Sequence, residues 1–365
     1  MAEDWGPRYW DWLTGHALPL WAEAGVDRAQ GGFEELLGQD GRAVAAPRRA
    51  RVQARQSFVF ASAGSLGWNG PWREVAGLGL DYLERRYRRA DGLYATLAGP
   101  DGAVIDQTAM TYDQAFALLA AVALQRHGLG PGEAYALGLL DRIEALRRHP
   151  GGGFIEPGPR FLANPHMHLL EAALAWVEAG GHTRWRALAG EIVALALASF
   201  IDREHGVLLE QFDAAWASAP GETGDSVEPG HLFEWAWLLE RWARLSGGDD
   251  AHQAALLLFE SGRRSVDAAR NVAIGETDRG LKPRRATARL WGQTERLKAA
   301  LLLRREEEAR AAAQSLWQYL RTPLPGLWRD KMDEAGRFVD EPAPASSLYH
   351  IIGAVAALKE YGTLT

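Results

Sequence analysis

Four of the ten histidines stand where they could do acid and base chemistry. His166 and His168 lie in the segment NPHMH, His231 in GHLFEWAWLL and His350 in SLYHIIGA, each within a helical apolar pattern. An imidazole has an ordinary pKa of about 6.5, so a pair of histidines facing a cavity can exchange protons with a small molecule near neutral pH. Glu234 stands three residues after His231 on the same helical face, where it can orient that imidazole or raise its basicity.

Six conspicuous polar side chains recur along the chain at nearly constant spacing. The differences between successive members are 57, 56, 63, 62 and 57 residues. Arg, Tyr and His are poor helix caps beside Ser, Asp and Asn, so we interpret the set as the lining of a small-molecule pocket. The six residues are Arg55, Tyr112, His168, His231, Gln293 and His350.

A metal site is the alternative for part of this set. His166, His168, His231 and Glu234 together offer the imidazoles and the carboxylate that zinc or manganese bind. Histidines at i and i+2 diverge on a helix, however, and no segment resembles HEXXH. We therefore expect neither a metal nor any other cofactor.

Tryptophan is abundant, with 15 residues, and flat indole faces suit the apolar side of a sugar ring. Trp235 and Trp291 occupy helical positions suited to this contact, whereas we expect most of the others to pack in the core.

Apolar residues at i, i+3, i+4 and i+7, with Gly, Pro and Asn stops between the runs, predict twelve helices. Their expected spans are residues 5–25, 50–69, 71–88, 107–127, 131–148, 163–179, 183–201, 228–246, 249–267, 288–303, 305–321 and 344–360.

The connections between these helices alternate between a few residues and a long insert that reads as a short strand or hairpin, such as GGFEELLGQDGRAV or GVLLEQFDA. Six repeats of helix, turn, helix and insert predict an all-α fold, the (α/α)6 barrel, formed by one domain of residues 1–365. The even-numbered helices mix polar and aromatic residues with apolar ones and are expected to be the inner layer.

Composition excludes several classes of partner. The net charge of −7 gives no basic excess for nucleic acid, and the longest apolar runs are too short to cross a bilayer. With no cysteine there is no thiolate or disulfide chemistry, and the acidic start MAEDWGPRYW does not read as a signal peptide. We expect a cytoplasmic protein with a small-molecule partner, and a homodimer is compatible with this.

The chain resembles the N-acylglucosamine 2-epimerase superfamily over nearly its full length. The resemblance rests on VQARQ, TYDQAF, NPHMHLLEA, GHLFEWAWLL, RLWGQTERLKA and SLYHIIGA, in this order and at the spacing of the barrel. The combination of RVQARQ, RLWGQTERLKA and YHIIGA is most similar to the bacterial branch of mannose isomerases and mannose-6-phosphate-isomerase-like proteins.

The resemblance implies metal-independent acid and base chemistry on an open-chain monosaccharide. His350 and His231 would share ring opening and proton transfer, and Arg55 would hold the oxygens of an enediolate. Glu234 and Glu295 would tune or orient the histidines. The residues that would shape the sugar pocket are Tyr112, His168, Asn164, Trp291, Gln293, Glu295 and Trp235.

Two outcomes follow from such a site. One imidazole that moves a proton from C2 to C1 gives aldose-ketose isomerisation of the mannose-to-fructose type, whereas two imidazoles on opposite faces of C2 give 2-epimerisation. Phosphorylated mannose is an alternative substrate, with Arg51, Lys282, Arg284, Arg285 and Lys331 as candidate cations.

Two other classes remain open. A glycoside hydrolase would use two carboxylates from Asp106, Asp113, Glu234 and Glu295, and a non-catalytic sugar-binding barrel would leave the histidines without chemistry.

Overall fold

The computed structural model describes residues 4–158 and 160–362, so the first three residues of the acidic amino-terminal segment lie outside it. Every predicted helix is present, with ends that differ from the expected ones by at most four residues. The first predicted helix is interrupted by a π-helical turn, Leu13–Ala17, and two others end in the π-helical turns Leu83–Tyr87 and Ala196–Phe200. The helices are α1 Trp5–Trp12, α2 Leu18–Glu23, α3 Ala50–Leu66, α4 Trp72–Tyr82, α5 Thr111–Gln125, α6 Gly132–Arg147, α7 Ala163–Glu178, α8 Thr183–Leu195, α9 Gly221–Gly224, α10 Pro229–Ser246, α11 Asp249–Arg264, α12 Leu290–Leu302, α13 Glu306–Leu320 and α14 Ser346–Tyr361.

Short strands fill the inserts, as their alternating sequences predict. They are β1 Val26–Asp27, β2 Gly32–Phe33, β3 Leu36–Leu37, β4 Arg48–Arg49, β5 Leu97–Ala98, β6 Val104–Asp106, β7 Phe161–Leu162, β8 Ile201–Asp202, β9 Val207–Leu208, β10 Gln211–Phe212, β11 Ser226–Val227, β12 Val266–Asp267, β13 Val272–Ala273, β14 Glu276–Asp278, β15 Pro283–Arg285, β16 Ala288–Arg289, β17 Lys331–Met332 and β18 Ala343–Pro344. Antiparallel pairs join β1 to β2, β8 to β9, β12 to β13 and β16 to β17.

Backbone contacts divide the chain into two compact units. The His231 unit comprises the described residues of Met1–Ala17, Val193–Ala343 and His350–Thr365, and the Arg55 unit those of Leu18–Ile192 and Pro344–Tyr349. The single domain predicted for residues 1–365 stays a prediction.

Each unit repeats one packing scheme. In the Arg55 unit, α3 packs on α4 and α5, and α5 packs on α6 and α7; in the His231 unit, α10 packs on α11 and α12, and α12 on α13. Thirteen of the 15 residues of α5 are buried, against four of the 16 residues of α6. The helix α5 corresponds to the fourth predicted helix, 107–127, and α6 to the fifth, 131–148. In this repeat the even-numbered predicted helix is therefore the buried one and the odd-numbered helix is the amphipathic one.

Three hairpins, β1–β2, β8–β9 and β12–β13, are closed by an aspartate that begins the turn. One carboxylate oxygen of Asp27, Asp202 or Asp267 accepts hydrogen bonds from two backbone N–H groups of its turn. Four residues later the backbone is left-handed, at Gly206 with φ 73° and at Asn271 with φ 55°. An Asx turn followed by Gly or Asn is the local signal that makes these inserts hairpins.

The inserts are held to the buried helices by a repeated side-chain clamp. The fourth residue of α12, Gln293, accepts the Ala273 N–H at 2.9 Å and donates to the Ala273 carbonyl at 2.9 Å and to that of Arg289 at 3.0 Å. Gln53 and Gln114, the fourth residues of α3 and α5, accept the N–H and donate to the carbonyl of Phe33 and Tyr94 in the same way. His166, the fourth residue of α7, accepts the Phe154 N–H. In these four repeats the clamp fixes the height of the insert against the first turn of its helix.

Within the described residues, no helix combines the length and the apolar character that crossing a bilayer would require.

Replacing Gln293 with Met tests the clamp, because the side chain is fully buried and methionine keeps its length. The buried N–H and C=O of Ala273 would lose their partner, so we expect the free energy of unfolding to fall by about 2 to 4 kcal/mol. Urea denaturation measures the change. Gln253→Met, at an exposed position of α11, is the matched control and should change stability by less than about 0.5 kcal/mol. Equal stability of the two variants would contradict the clamp.

Candidate active site

His231 lies in the first turn of α10, which begins at Pro229, a residue favoured at helix starts. Its Nδ1 lies 3.0 Å from both carboxylate oxygens of Glu210, which follows strand β9 in the preceding insert. Both side chains are more than nine-tenths buried. An Nδ1–H donated to a carboxylate places the basic lone pair of the imidazole on Nε2 and fixes the orientation of the ring.

The carboxylates around His231 keep it charged. Burial by itself lowers the pKa of an imidazole, but the negative charges of Glu210 and Glu228, the Glu210 hydrogen bond and the charge of Glu234 outweigh it and raise the pKa of His231 to about 10. At neutral pH, His231 is therefore an imidazolium, which is an acid. Burial also raises the pKa of Glu228, assisted by the charge of Glu210 and opposed by that of His231.

His350 forms a second histidine-carboxylate pair. Its Nδ1 lies 2.9 Å from Oε1 of Glu295, and the other oxygen of Glu295 accepts a 2.6 Å hydrogen bond from Nζ of Lys298. Burial raises the pKa of the Glu295 carboxyl, but the Lys298 ammonium and His350 outweigh this effect and lower it. The Nζ of Lys298 also lies 3.8 Å from the ring centroid of Trp237, so this buried ammonium is held on two sides.

Trp291, the second residue of α12, connects the two pairs. Its ring centroid lies 5.1 Å from that of His231 and 5.9 Å from that of His350, and its side chain is partly exposed. Trp291 therefore lies beside both histidines within the His231 unit, and its predicted contact with a sugar stays a prediction. The arrangement offers an acid, a second imidazole and a flat apolar surface between them.

The Arg55 unit contains a second cluster, centred on Arg55 of α3. Its guanidinium carbon lies 4.1 Å from the ring centroid of Phe116 and 4.9 Å from that of Tyr349, and one Nη donates to the Tyr112 hydroxyl at 2.8 Å. The Nε is buried and has no hydrogen-bond partner among the residues that the structure describes. A buried guanidinium with an unused N–H suits a ligand oxygen.

Two more predicted residues lie in this cluster. The ring centroids of Tyr112 and His168 are 4.9 Å apart, and the Nδ1 of His168 lies 3.4 Å from Glu171, which also accepts the Tyr349 hydroxyl. Asn164 of α7 has a buried amide oxygen without a hydrogen-bond partner in the described part of the chain.

The structure corrects several sequence predictions. Glu210, and not Glu234, is the hydrogen-bond partner of His231 Nδ1, and Glu234 acts on His231 through its charge. Both amide atoms of Gln293 bind backbone, and Glu295 binds His350 and Lys298, so these side chains support the site and do not reach a sugar as predicted. The spacing argument failed at Gln293 because it belongs to the clamp.

Two further residues are excluded from direct ligand contact by burial. Trp235 is fully buried beside Phe200, with ring centroids 6.1 Å apart, so the predicted sugar contact is wrong. His166 accepts the Phe154 N–H at Nε2 and lies 2.8 Å from the Leu162 carbonyl at Nδ1. Burial lowers the pKa of His166 to about 4, and its place in the metal alternative is lost because both nitrogens are occupied.

Sequence reasoning missed Glu210 and Lys298. Aligning the inserts on the clamped residues Phe33, Tyr94, Phe154 and Ala273, and on Leu208 and Trp328 in the other two, gives the signal for Glu210, because the position two residues later is acidic in four of the six inserts. These residues are Glu35, Glu156, Glu210 and Asp330. Glu35 and Glu156 accept backbone N–H groups at the starts of α3 and α5, and Asp330 binds Arg289, whereas Glu210 turns to His231. Lys298 lies one helical turn after Glu295, the spacing of an intrahelical ion pair.

Comparison with known proteins places these features in a family. The model of the N-acylglucosamine 2-epimerase family matches residues 31–354. The chain is 45% identical to a protein named mannose-6-phosphate isomerase from Rhizobium meliloti (strain 1021), covering 96% of this chain and 95% of that protein. It is 25% identical to a D-mannose isomerase from Pseudomonas cannabina pv. alisalensis, covering 94% and 91%.

The fold is also that of a solved structure. A crystal structure of D-mannose isomerase matches with a TM-score of 0.90 at 21% identity, covering 99% of each chain. The predicted all-α, (α/α)6 fold is thereby confirmed, as is the prediction that the protein is an enzyme of the sugar isomerase and epimerase class. With the family model matching most of its length and a relative at 45% identity, the chain belongs to the N-acylglucosamine 2-epimerase family.

Proposed function

We propose that the protein interconverts an aldose and its 2-ketose, of the mannose-to-fructose type, through a cis-enediolate and without a metal. The observation that carries the proposal is the pair of buried histidines on Trp291, each oriented by its own carboxylate at Nδ1. Relatives named mannose isomerase and mannose-6-phosphate isomerase support the same reaction class.

The two histidines differ in the charge around them, which supports different roles. His231 faces Glu210, Glu228 and Glu234 and is held as an imidazolium, so it is suited to protonate the ring oxygen when the sugar ring opens. His350 shares Glu295 with the Lys298 ammonium, which offsets much of the carboxylate charge. We assign His350 as the base that takes the proton from C2 and returns it to C1, while the hydroxyl proton moves from O2 to O1.

Arg55 keeps its predicted role in this proposal. A developing enediolate needs a fixed cation at its oxygens, and Arg55 is held by aromatic faces and the Tyr112 hydroxyl with its Nε unused among the described residues. Tyr112, His168 and Asn164 stay proposed sugar contacts.

Epimerisation at C2 is the second candidate, because both histidines have an orienting carboxylate and either could serve as a base. The relative named cellobiose 2-epimerase, 26% identical over 64% of this chain, belongs to that class. Mannose 6-phosphate is the alternative substrate, since the 45% identical relative bears that name.

The hydrolase alternative loses support at its candidate carboxylates. Asp113 binds Arg51 at 3.0 Å and the Thr96 hydroxyl at 2.6 Å, and Glu295 binds His350 and Lys298. Asp106 accepts the Thr108 N–H at 2.8 Å in a local turn. Asp113 and Glu295 are buried and paired, so neither is placed as a solvent-facing acid or nucleophile for a glycosidic bond. A cytoplasmic location, a homodimer and a single catalytic domain of residues 1–365 remain parts of the proposal.

Replacing Glu210 with Gln removes the negative charge nearest His231 while keeping the side-chain shape. The pKa of His231 should fall, so the alkaline limb of the kcat profile should move to lower pH by at least about one unit. Rates measured from pH 6 to pH 10 give the shift. Glu204→Gln, at an exposed position of the same insert, should leave the profile unchanged. An unshifted alkaline limb in the Glu210 variant would mean that His231 is not the acid.

Replacing each histidine with Asn separates the two proposed roles. His350→Asn should abolish both conversion and exchange of the C2 proton with D2O, with a loss of about 10² to 10⁴ in rate. His231→Asn should retain part of the exchange when the substrate is enriched in open-chain form. NMR of mannose incubated in D2O measures product and deuterium together. If His231→Asn exchanges the C2 proton fully yet forms no product, the enzyme is a 2-epimerase.

Arg55→Lys keeps the positive charge but loses the planar donor geometry. We expect kcat to fall at least about tenfold with the fold intact, because the planar donors act on charge that develops in the transition state. Arg28→Lys, at an exposed ion pair with Glu74 in the same unit, is the control. A raised KM with normal kcat would assign Arg55 to binding alone.

A further inference from the structure

Glu228 lies one helical turn before His231 and has no part in the mechanism proposed above. It is the last residue before α10, and its backbone carbonyl accepts the N–H groups of His231 at 2.9 Å and of Leu232 at 3.2 Å. Its side chain makes no hydrogen bond to the start of the helix, and glutamate is not among the residues preferred as helix caps. Capping therefore does not explain a carboxylate at this position.

The Glu228 side chain lines a cavity of about 410 Å³ within the His231 unit, a volume typical of small-molecule sites. Trp291, whose ring lies near both His231 and His350, lines the same cavity. A Cβ on Gly230 would meet the Trp291 ring at 2.5 Å, so glycine allows this ring to lie against the first turn of α10. A sugar on the Trp291 face would therefore meet the Glu228 carboxylate.

The Glu228 carboxylate is available to a ligand. Among the residues that the structure describes, no group forms a hydrogen bond or an ion pair with it. The carboxylates around it are engaged, because Glu210 binds His231 and Glu276 pairs with Arg285 at 3.3 Å. A partly buried carboxylate without a partner is costly, and a ligand hydroxyl would supply the missing hydrogen bond.

The charges of Glu228 and His231 depend on each other. Burial raises the pKa of the Glu228 carboxyl, the positive charge of His231 opposes this rise and that of Arg285 does so too, whereas Glu210 and Glu276 add to it. Once His231 has given up its proton, its charge no longer favours the ionised carboxylate, and Glu228 becomes the stronger base. Loss of a proton at the imidazole thus promotes gain of a proton at the carboxylate.

We propose that Glu228 is a catalytic base that takes the anomeric O1 proton of the sugar while His231 protonates the ring oxygen O5. The inference rests on the isomerase proposed above and adds the second group needed for ring opening. The C1–O5 bond breaks with its electron pair going to O5, which gains the proton of His231. The C1–O1 bond becomes a double bond as the O1 proton passes to Glu228.

The two transfers leave the total charge of the sugar and the two side chains unchanged. Closure of the 2-ketose ring reverses them, because the attacking hydroxyl gives its proton to His231 and the C2 carbonyl oxygen takes the proton from Glu228. Both side chains thereby return to their starting states.

Exchange between the α and β anomers measures ring opening by itself, because the anomers interconvert only through the open chain. Exchange NMR follows it in the His350→Asn protein, with D-mannose or mannose 6-phosphate as the sugar. We expect this protein to accelerate the exchange above the uncatalysed rate. Adding Glu228→Gln should lower the acceleration at least about tenfold, as should adding His231→Asn. Glu222→Gln, at an exposed position of α9, is the matched control.

A purely electrostatic role of Glu228 gives a different result. Glu228→Gln would then lower the pKa of His231 and move the alkaline limb of the exchange rate to lower pH, with the rate at the optimum unchanged. That outcome would overturn the inference. Glu228→Asp keeps the negative charge and shortens its reach, so we expect an alkaline limb near that of the parent protein together with a lower rate at the optimum.

Glu228→Gln alone, measured in otherwise wild-type protein at isomerisation equilibrium, gives the same comparison without the His350 change. If the wild-type protein exchanges the anomers but converts neither sugar, the proposed isomerase fails and the Glu228 variants still decide the ring-opening role. If it accelerates neither process, both proposals are overturned.

Discussion

Burying an imidazolium requires a buried carboxylate beside it, and the proposed catalytic site depends on that requirement. An unpaired charge in a helical core is expensive, and a histidine alone in such a place stays neutral. His166 illustrates this outcome, because it binds backbone groups only and its pKa falls to about 4. His231, among Glu210, Glu228 and Glu234, has a pKa of about 10. The neighbouring charges, and not the residue type, decide which histidine can act as an acid.

Several inserts are fixed against the buried helices by side chains of those helices. A glutamine or histidine at the fourth helical residue binds the backbone of the preceding insert in four repeats. At the same position of the aligned inserts, Glu35 and Glu156 accept backbone N–H groups at the starts of α3 and α5, and Asp330 binds Arg289. In one insert the acid at this position is Glu210, which meets His231. The same position of the insert therefore supports a helix start in some repeats and orients His231 in another.

The two histidine-carboxylate pairs differ in the charges around them. Among the described residues, no Lys or Arg side chain hydrogen-bonds to the Glu210 carboxylate that pairs with His231. The Glu295 carboxylate, in contrast, is shared between His350 and Lys298. Lys298, one turn after Glu295 on α12, therefore offsets the negative charge of the Glu295 carboxylate. This difference suits the two proposed roles, because ring opening needs an acid and removal of the C2 proton needs a base.

The sequence by itself determined the helices, the six-fold repeat and most of the proposed site residues, because apolar periodicity and the Gly, Pro and Asn stops are local signals. His231, His350, Trp291 and Arg55 were proposed from their types and positions. The family resemblance implied that Glu295 orients a histidine, and Glu295 is hydrogen-bonded to His350. The tertiary structure alone decided which carboxylate pairs with which histidine, since the partners Glu210 and His231 are 21 residues apart and Glu295 and His350 are 55 apart. It also decided that Gln293 and Trp235 serve the core, because equal spacing along the chain does not distinguish a side chain that faces a cavity from one that clamps the backbone.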